Sequence, residues 1–319
     1  MVGRAQRAAP GAVMLDRRAV ARWAGLCLLL AAAPAAAQDM EPKAYSASPV
    51  GANFLVVAYT RSDGAVVFDP TLPISDVHAN VEGFAVAVGH TFGLFGDLAI
   101  VTAALPYALA DVTGKVQEQA AAVSRSGLAD AQFKFSMNLR GNPAMPAREF
   151  VKAPRQTIVG ASVTVSAPAG QYYDTKLINL GNHRWAFKPE VGISVPIRRL
   201  DADAYLGAWF FTANDDFFPG GLLRSQDPML AAQAHISYTL RPRMWVAFDS
   251  TWYSGGSTTV NGGTPSTAVN NSRAGVTLSL PIGARYSFKV AYGSGVVVRT
   301  GTNFTTVAVA VQALWLSPR

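Results

Sequence analysis

From Gln156 to Val195 the chain reads QTIVGASVTVSAPAGQYYDTKLINLGNHRWAFKPEVGISV, and its first half alternates residue by residue. Thr157, Val159, Ala161, Val163 and Val165 fall on one face, and Ile158, Gly160, Ser162, Thr164 and Ser166 on the other. Successive side chains of a strand point to opposite faces, so one face is apolar and the other small and mostly polar. After a loop the pattern returns. Trp185, Phe187, Val191, Ile193 and Val195 oppose Ala186, Lys188, Glu190, Gly192 and Ser194. Two architectures produce this alternation. In a soluble sandwich the apolar face points into a core; in an outer-membrane barrel it points at lipid and the polar face lines the lumen.

Segments of this kind recur to the end of the chain, at 51–61, 82–93, 97–108, 129–140, 156–167, 184–196, 201–212, 229–240, 244–254, 271–281, 285–293 and 303–315. The connections between them alternate in length. Short turns at 93–96, 241–243 and 281–284 contrast with long stretches at 62–81, 109–128, 168–183, 213–228 and 255–270, which are rich in Gly, Asn, Asp, Ser and Pro. Short turns at one end and long loops at the other are the arrangement of a transmembrane barrel, the short side being periplasmic. The connection at 141–155 is long for that side, with a short helix expected around Ala147 to Lys152, and the loop at 294–302 is short for the outside.

Other strands carry the same phase. Phe133, Phe135, Met137 and Leu139 oppose Gln132, Lys134, Ser136 and Asn138; Ala274, Val276, Leu278 and Leu280 oppose Arg273, Gly275, Thr277 and Ser279. Tyr107, Trp185, Trp252, Tyr253 and Trp315 lie near strand ends, where interfacial aromatic girdles belong. Two strands read less cleanly. In 201–212 Leu206 and Phe210 face one way and Tyr205, Trp209 and Phe211 the other, and 51–61 is also mixed. A loop folded into the lumen, or a bulge, would explain such a strand.

Composition favours the membrane reading. Half of the 319 residues are hydrophobic and only 15% are charged. Arg17, Arg18 and Arg22, the apolar run Ala24–Ala33 and the small residues Ala35–Ala37 read as a secretory signal spanning residues 1–37, with Met14 an alternative start. The domain that remains is 38–319, and no further run of about 18 apolar residues predicts a membrane helix. The single cysteine, Cys27, lies in the leader, so neither a disulfide framework nor a thiolate metal site is expected. Removing the leader takes five of 27 basic residues and one of 20 acidic ones, which lowers the formal charge from +7 to +3. The remaining basic residues are scattered, which argues against a nucleic-acid partner. The signal, the missing cysteines, the loop asymmetry and the final aromatic strand together favour an all-β protein. The expected fold is a single antiparallel transmembrane β-barrel of about 12 strands, within roughly 10–14.

Chemistry-bearing motifs are sparse. His78, His90, His183 and His235 have no zinc-ligand spacing, and neither a GxSxG elbow nor a phosphate- or dinucleotide-binding loop occurs. Neither catalytic residues, nor a metal, nor a cofactor is expected. Asn214-Asp215-Asp216 lacks the EF-hand spacing and reads as an extracellular loop tip.

Several runs resemble a known family. They are Thr157-Ile158-Val159-Gly160-Ala161-Ser162, Ser166-Ala167-Pro168 with Gly170-Gln171-Tyr172, Asn182 with Arg184-Trp185 and Phe187-Lys188-Pro189-Glu190, Asn214-Asp215-Asp216-Phe217-Phe218, and Gln226-Asp227-Pro228. With Ala44-Tyr45-Ser46 and Gly51-Ala52-Asn53-Phe54-Leu55, they look like the transporters of the phenol-degradation MetA-pathway family. The resemblance implies an outer-membrane barrel with a role in uptake of small, often aromatic or hydrophobic, compounds. One departure is that Trp315 is followed by Leu316-Ser317-Pro318-Arg319, where such barrels usually end on an aromatic residue.

The expected partners are therefore outer-membrane lipid, the barrel-assembly machinery and a small-molecule solute, with both termini in the periplasm of a Gram-negative-type cell. A lipid-acting outer-membrane enzyme and a closed structural or adhesion barrel are the alternatives. By strand phase the candidate lumen residues are Lys134, Lys188, Glu190, His235, Asp249, Arg273 and Lys289. A symmetric three-residue turn at 241–243 would set His235 opposite Asp249, as a lumen brace or a pH-sensitive element.

Overall fold

A computed structural model describes residues 40–67, 74–116, 118–299 and 301–317. The signal sequence expected over residues 1–37 lies outside the described residues. Sixteen strands are present among the described residues: β1 (Ala52–Val67), β2 (Ile74–Leu94), β3 (Asp97–Val116), β4 (Gln119–Leu128), β5 (Ala131–Arg140), β6 (Ile158–Ala167), β7 (Ala186–Ile197), β8 (Leu200–Phe211), β9 (Asn214–Phe217), β10 (Leu222–Gln226), β11 (Met229–Arg241), β12 (Met244–Gly255), β13 (Thr258–Val260), β14 (Val269–Ile282), β15 (Tyr286–Val297) and β16 (Gly301–Leu316). β9, β10 and β13 form a small sheet of their own among the long connections. The rest close into one antiparallel barrel, because β1 pairs with both β2 and β16 and β2 also pairs with β3. β4 and β5 share one stave. β4 pairs with the far part of β3 and β5 with its near part, the register slipping by one residue between Tyr107↔Leu128 and Ala104↔Gln132. The slip falls at Pro106, which has no N–H for the ladder. The barrel thus has twelve staves, with cores at the segments read from alternation.

The connections at 62–81 and 109–128 are not loops. β1, β2, β3 and β4 continue through most of both, so one side of the wall stands taller than the rest. Polar composition suggested loops, but a wall section beyond the membrane has no lipid face to enforce alternation. The helix near Ala147 is a single turn, Ala147–Phe150. The β11–β12 turn also differs from expectation. Arg241 pairs with Met244 across a two-residue turn, and a bulge at Leu240 restores the register by one residue. Turn and bulge together do what a three-residue turn would have done, so His235 still faces Asp249.

The barrel is inside-out. Val191, Leu206, Ile236 and Phe248 are each 56–57% exposed, while Lys188, Glu190, His235, Asp249 and Arg273 are all at most 4% exposed. Large apolar side chains on the outer surface and charges inside satisfy a wall whose solvent is hydrocarbon. Trp185, Trp252, Tyr286 and Trp315 lie near the strand ends on the outer face.

Candidate functional site

The lumen is crossed by the chain's own N-terminal segment, residues 40–51. At the short-turn end this segment is tied down by Val50 N–H to Met145 O (3.0 Å), Gly51 N–H to Thr91 O (2.8 Å) and the Thr91 hydroxyl to Pro49 O (2.7 Å). Further in, Tyr45 is 1% exposed and packs edge-on against Tyr205, ring centroids 5.2 Å apart. Its hydroxyl lies 3.0 Å from Ser162 Oγ and donates to Glu190 Oε1 at 3.3 Å. Tyr205 returns a bond, its hydroxyl accepting Ala44 N–H at 3.0 Å. Lys43 pairs with Asp201, which Arg155 also holds, and Lys43 N–H donates to Asp203 Oδ2. Glu41 pairs with Lys134 at 2.5 Å.

The wall is cut to fit this segment. A Cβ on Gly160 would stand 2.3 Å from Tyr45 Cδ1, and one on Gly192 2.3 Å from its Cε2. On the far side, a Cβ on Gly293 would stand 2.2 Å from Met40 Cε. The mixed face of strand 201–212 now has its cause. Tyr205 points inward to meet Tyr45, and Trp209 joins a buried cluster with Ala186, Met229, Ala231 and Tyr253. That mixed face was a sequence signal of a segment inside the lumen.

The seven residues assigned to the lumen by phase divide among several contacts. Lys134 holds Glu41. Lys188 pairs with Glu190 at 3.2 Å and lies 5.4 Å from the centre of the Trp209 ring. His235 Nδ1 is 2.7 Å from Asp249 Oδ1, and Thr277 Oγ1 donates to Asp249 Oδ2 at 2.6 Å. His235 also faces Asp203 across the β8–β11 ladder, so a carboxylate flanks it on either neighbouring strand. Arg273 donates to Phe304 O at 2.9 Å. Lys289 lies 5.9 Å from the centre of the Trp245 ring. These are separate braces between strands of the barrel and between the barrel and the N-terminal segment, not one cluster. Asn214 is not a loop tip but is buried at 1% exposure. It donates to Tyr172 Oη at 2.9 Å and Asn182 O at 3.1 Å and accepts Asp216 N–H at 3.0 Å. Asp215 is exposed, and Asp216 Oδ1 accepts Gly221 N–H.

The opposite wall has a different character. The register places Phe54, Val56, Ala58 and Thr60 of β1 on one inward row with Gly89, Ala87, Ala85 and Gly83 of β2. That row continues into Thr102, Ala104, Pro106 and Ala108 of β3, and Ala308 and Ala310 of β16. Apart from Phe54, whose ring covers Gly89, these residues are small to medium and mostly apolar, and all stay half-buried, whereas inward residues of β6, β7 and β8 are mostly buried. The N-terminal segment leans on the charged and aromatic side and leaves the residues of the apolar side less covered. Among the described residues no group of three or more His, Cys, Asp or Glu could hold a metal ion.

The fold is that of outer-membrane barrels. The structure superposes on the COG4313 outer membrane channel from Pseudomonas putida F1 with a TM-score of 0.75 at 21% identity, covering 87% of this chain and 100% of that one. The transport unit of the autotransporter AIDA-I from Escherichia coli matches at a TM-score of 0.51 and 8% identity, over 93% of this chain and 97% of that one. No curated protein matches the sequence. A family model does match, over residues 60–311, under the description "Putative MetA-pathway of phenol degradation", so the chain belongs to the family its motifs resemble.

Proposed function

We propose that this protein is an outer-membrane channel that passes small hydrophobic or aromatic solutes inward, between its N-terminal segment and the small apolar wall. In this reading the short turns and both chain ends face the periplasm and the long connections face outward. The observation that carries it is the two-sided lumen. One side is charged, aromatic and filled by residues 40–51, and the other is a half-buried, mostly apolar row in which Ala and Gly of β2, β3 and β16 predominate beside Phe54, Val56, Ala58 and Thr60 of β1. A wide aqueous pore would be polar all round. A mostly apolar face with few polar groups offers a flat ring a surface to slide on and hydrated ions little to exchange for their water. The family's association with phenol degradation points to the same solute class.

Flux into liposomes tests the reading. Uptake of a neutral phenol should exceed that of a sugar of similar mass. Ala87→Trp, which fills the apolar side, should abolish phenol uptake while the barrel still assembles. Sugar crossing as fast as phenol, or unchanged phenol flux in Ala87→Trp, would refute it. Orientation is tested separately on intact cells: a cysteine replacing Gly262 should react with an impermeant thiol reagent, and one replacing Pro242 should not.

A further inference from the structure

The charges of the lumen are not spread evenly around its wall. The acids Glu41, Glu190, Asp201, Asp203 and Asp249 belong to the N-terminal segment or to β7, β8 and β12, the side which that segment covers. Each has a partner there. Glu41 holds Lys134 at 2.5 Å, and Glu190 holds Lys188 at 3.2 Å. Asp201 is shared by Lys43 and Arg155, and Asp249 accepts from Thr277 and lies against His235. Asp203 accepts Lys43 N–H at 3.3 Å through Oδ2, and its Oδ1 is buried at the place where it faces His235. Two cations stand apart from this network. Arg273 of β14 donates to Phe304 O at 2.9 Å and reaches Thr306 Oγ1 at 3.5 Å, both on β16, but its Nε and Nη1 are buried without a hydrogen-bond partner. Lys289 of β15 is half-buried, and its Nζ lies 5.9 Å from the centre of the Trp245 ring. Neither makes a salt bridge among the described residues. The acid whose charge reaches Lys289 is Glu41, which Lys134 already holds.

Both cations border the apolar row. Lys289 has Ser279 and Ala310 as its ladder neighbours, and Ala310 pairs in turn with Ala58 of β1. Thr306, which the Arg273 guanidinium reaches, pairs with Ser62 of β1. Arg273 lies near the start of β14, at the end of the long connections, and Lys289 near the start of β15, at the end of the short turns. Ser279, opposite Lys289, is six residues beyond Arg273, which sets the two cations about 20 Å apart along the wall. Screening confines each field to about 8 Å at physiological ionic strength, so each cation acts on its own stretch of the row. A solute anion moving along that row meets a positive charge toward either end, while the acids that would repel it are paired on the covered side. A solute cation meets the same two charges with the opposite sign. We propose that Arg273 and Lys289 set the charge preference of this route, and that its solutes are small aromatic carboxylates: the ring follows the apolar row while the carboxylate passes from the field of Arg273 to that of Lys289. The proposal rests on the channel reading above and names the solute class for it. Lys289, half-buried and bonded to no acid, is the residue through which the preference is set at the short-turn end.

Reversal potentials of the full-length barrel in planar bilayers test the proposal. Under a potassium chloride gradient, chloride should be at least about threefold more permeant than potassium, the scale of one unit charge beside a hydrated path. With chloride replaced on one side by benzoate or by acetate, benzoate should be the more permeant of the two although it is the larger ion. Neutral benzoic acid crossing the lipid carries no current and does not enter the measurement. Lys289→Gln should lower the chloride-to-potassium ratio about threefold, and Lys289→Arg, which keeps the charge, should preserve it. A merely structural lysine would not divide the two variants in this way. Substitution of Lys289 removes no salt bridge among the described residues, and heat-modifiable migration on gels checks that each variant is assembled. A parent channel that favours potassium, or neither ion, overturns the proposal whether or not the variants assemble. So does an unchanged ratio in Lys289→Gln, an equal loss in Lys289→Arg, or acetate more permeant than benzoate. Liposome flux of phenol separates this proposal from the channel reading. A barrel that passes phenol and conducts without preferring anions removes the proposal and leaves the channel; a barrel that passes neither phenol nor ions removes both.

Discussion

Placing one methyl group on Gly160 should open the lumen. In the docked state a Cβ there would stand 2.3 Å from Tyr45 Cδ1 and 2.8 Å from Cε1. Ordinary carbon contacts lie near ~3.5–4.0 Å, so the ring must retreat by more than an ångström or leave. Gly160 does not have the left-handed backbone that would itself resist alanine. The ring has little room to retreat, since Tyr205 blocks one side and its hydroxyl is held by Ser162 and Glu190. Overpacking of this kind costs about 1–3 kcal/mol. Because undocking relieves it, the undocked fraction should rise roughly 5- to 150-fold. Single-channel recording in planar bilayers reads this directly, as a larger fraction of time in a high-conductance state. The added methyl also comes within 3.1 Å of Met137 O, a contact within the wall itself, so a control is needed. Tyr45→Ala supplies it. That variant should conduct more than the parent, and adding Gly160→Ala to it should change nothing, because the clash partner is gone. Unchanged conductance in Gly160→Ala, or an equal effect in both backgrounds, would refute the argument that Tyr45 is the latch.

Three further outcomes follow from the same geometry. The Lys134 ammonium beside Glu41 holds its carboxyl below the usual carboxylate range, although Glu41 keeps 44% of its side chain exposed and solvent screens much of the effect. A depressed folded-state value means the contact contributes above the ordinary carboxylate pKa and is lost as pH falls beneath it. Conductance should therefore rise modestly on acidification below about pH 4.3, and Glu41→Gln should flatten that rise. Asp249→Ala leaves His235 buried beside Asp203 without its 2.7 Å partner and should cost about 3–5 kcal/mol in urea unfolding, whereas Asp249→Asn, which keeps an acceptor, should cost less; equal costs would show that the pair is not a brace. Val309→Arg on the outer face should cost about 2–4 kcal/mol, and Ala308→Arg on the half-open inner wall much less, and the reverse order would mean the phase of β16 is wrong.

Much of the barrel was written in the order of residues, because a strand has a strict period of two and its two faces meet different solvents. Val163 outward and Ser162 inward, or Phe133 outward and Lys134 inward, need no knowledge of the rest of the chain. The same face rule set His235 against Asp249, since any slip by one would have turned a polar row into lipid. It could not say whether a three-residue turn or a two-residue turn with a bulge at Leu240 keeps that register, because both satisfy the faces equally. Other features depend on contacts between residues far apart in sequence. That residues 40–51 lie in the lumen is decided by Tyr45 meeting Gly160, Gly192 and Tyr205, and by Lys43 meeting Asp201. None of these pairings has a local period, and only the unexplained inward aromatics of strand 201–212 hinted at them. The height of the wall formed by β1 to β4 was hidden because beyond the lipid both faces meet water and alternation loses its cause. Arg184 opens the 184–196 segment and Arg224 lies in the 213–228 connection, and no local period marks either as buried. Only the folding of the long connections over them makes them buried and adjacent, because burial is a property of what the rest of the chain places on top.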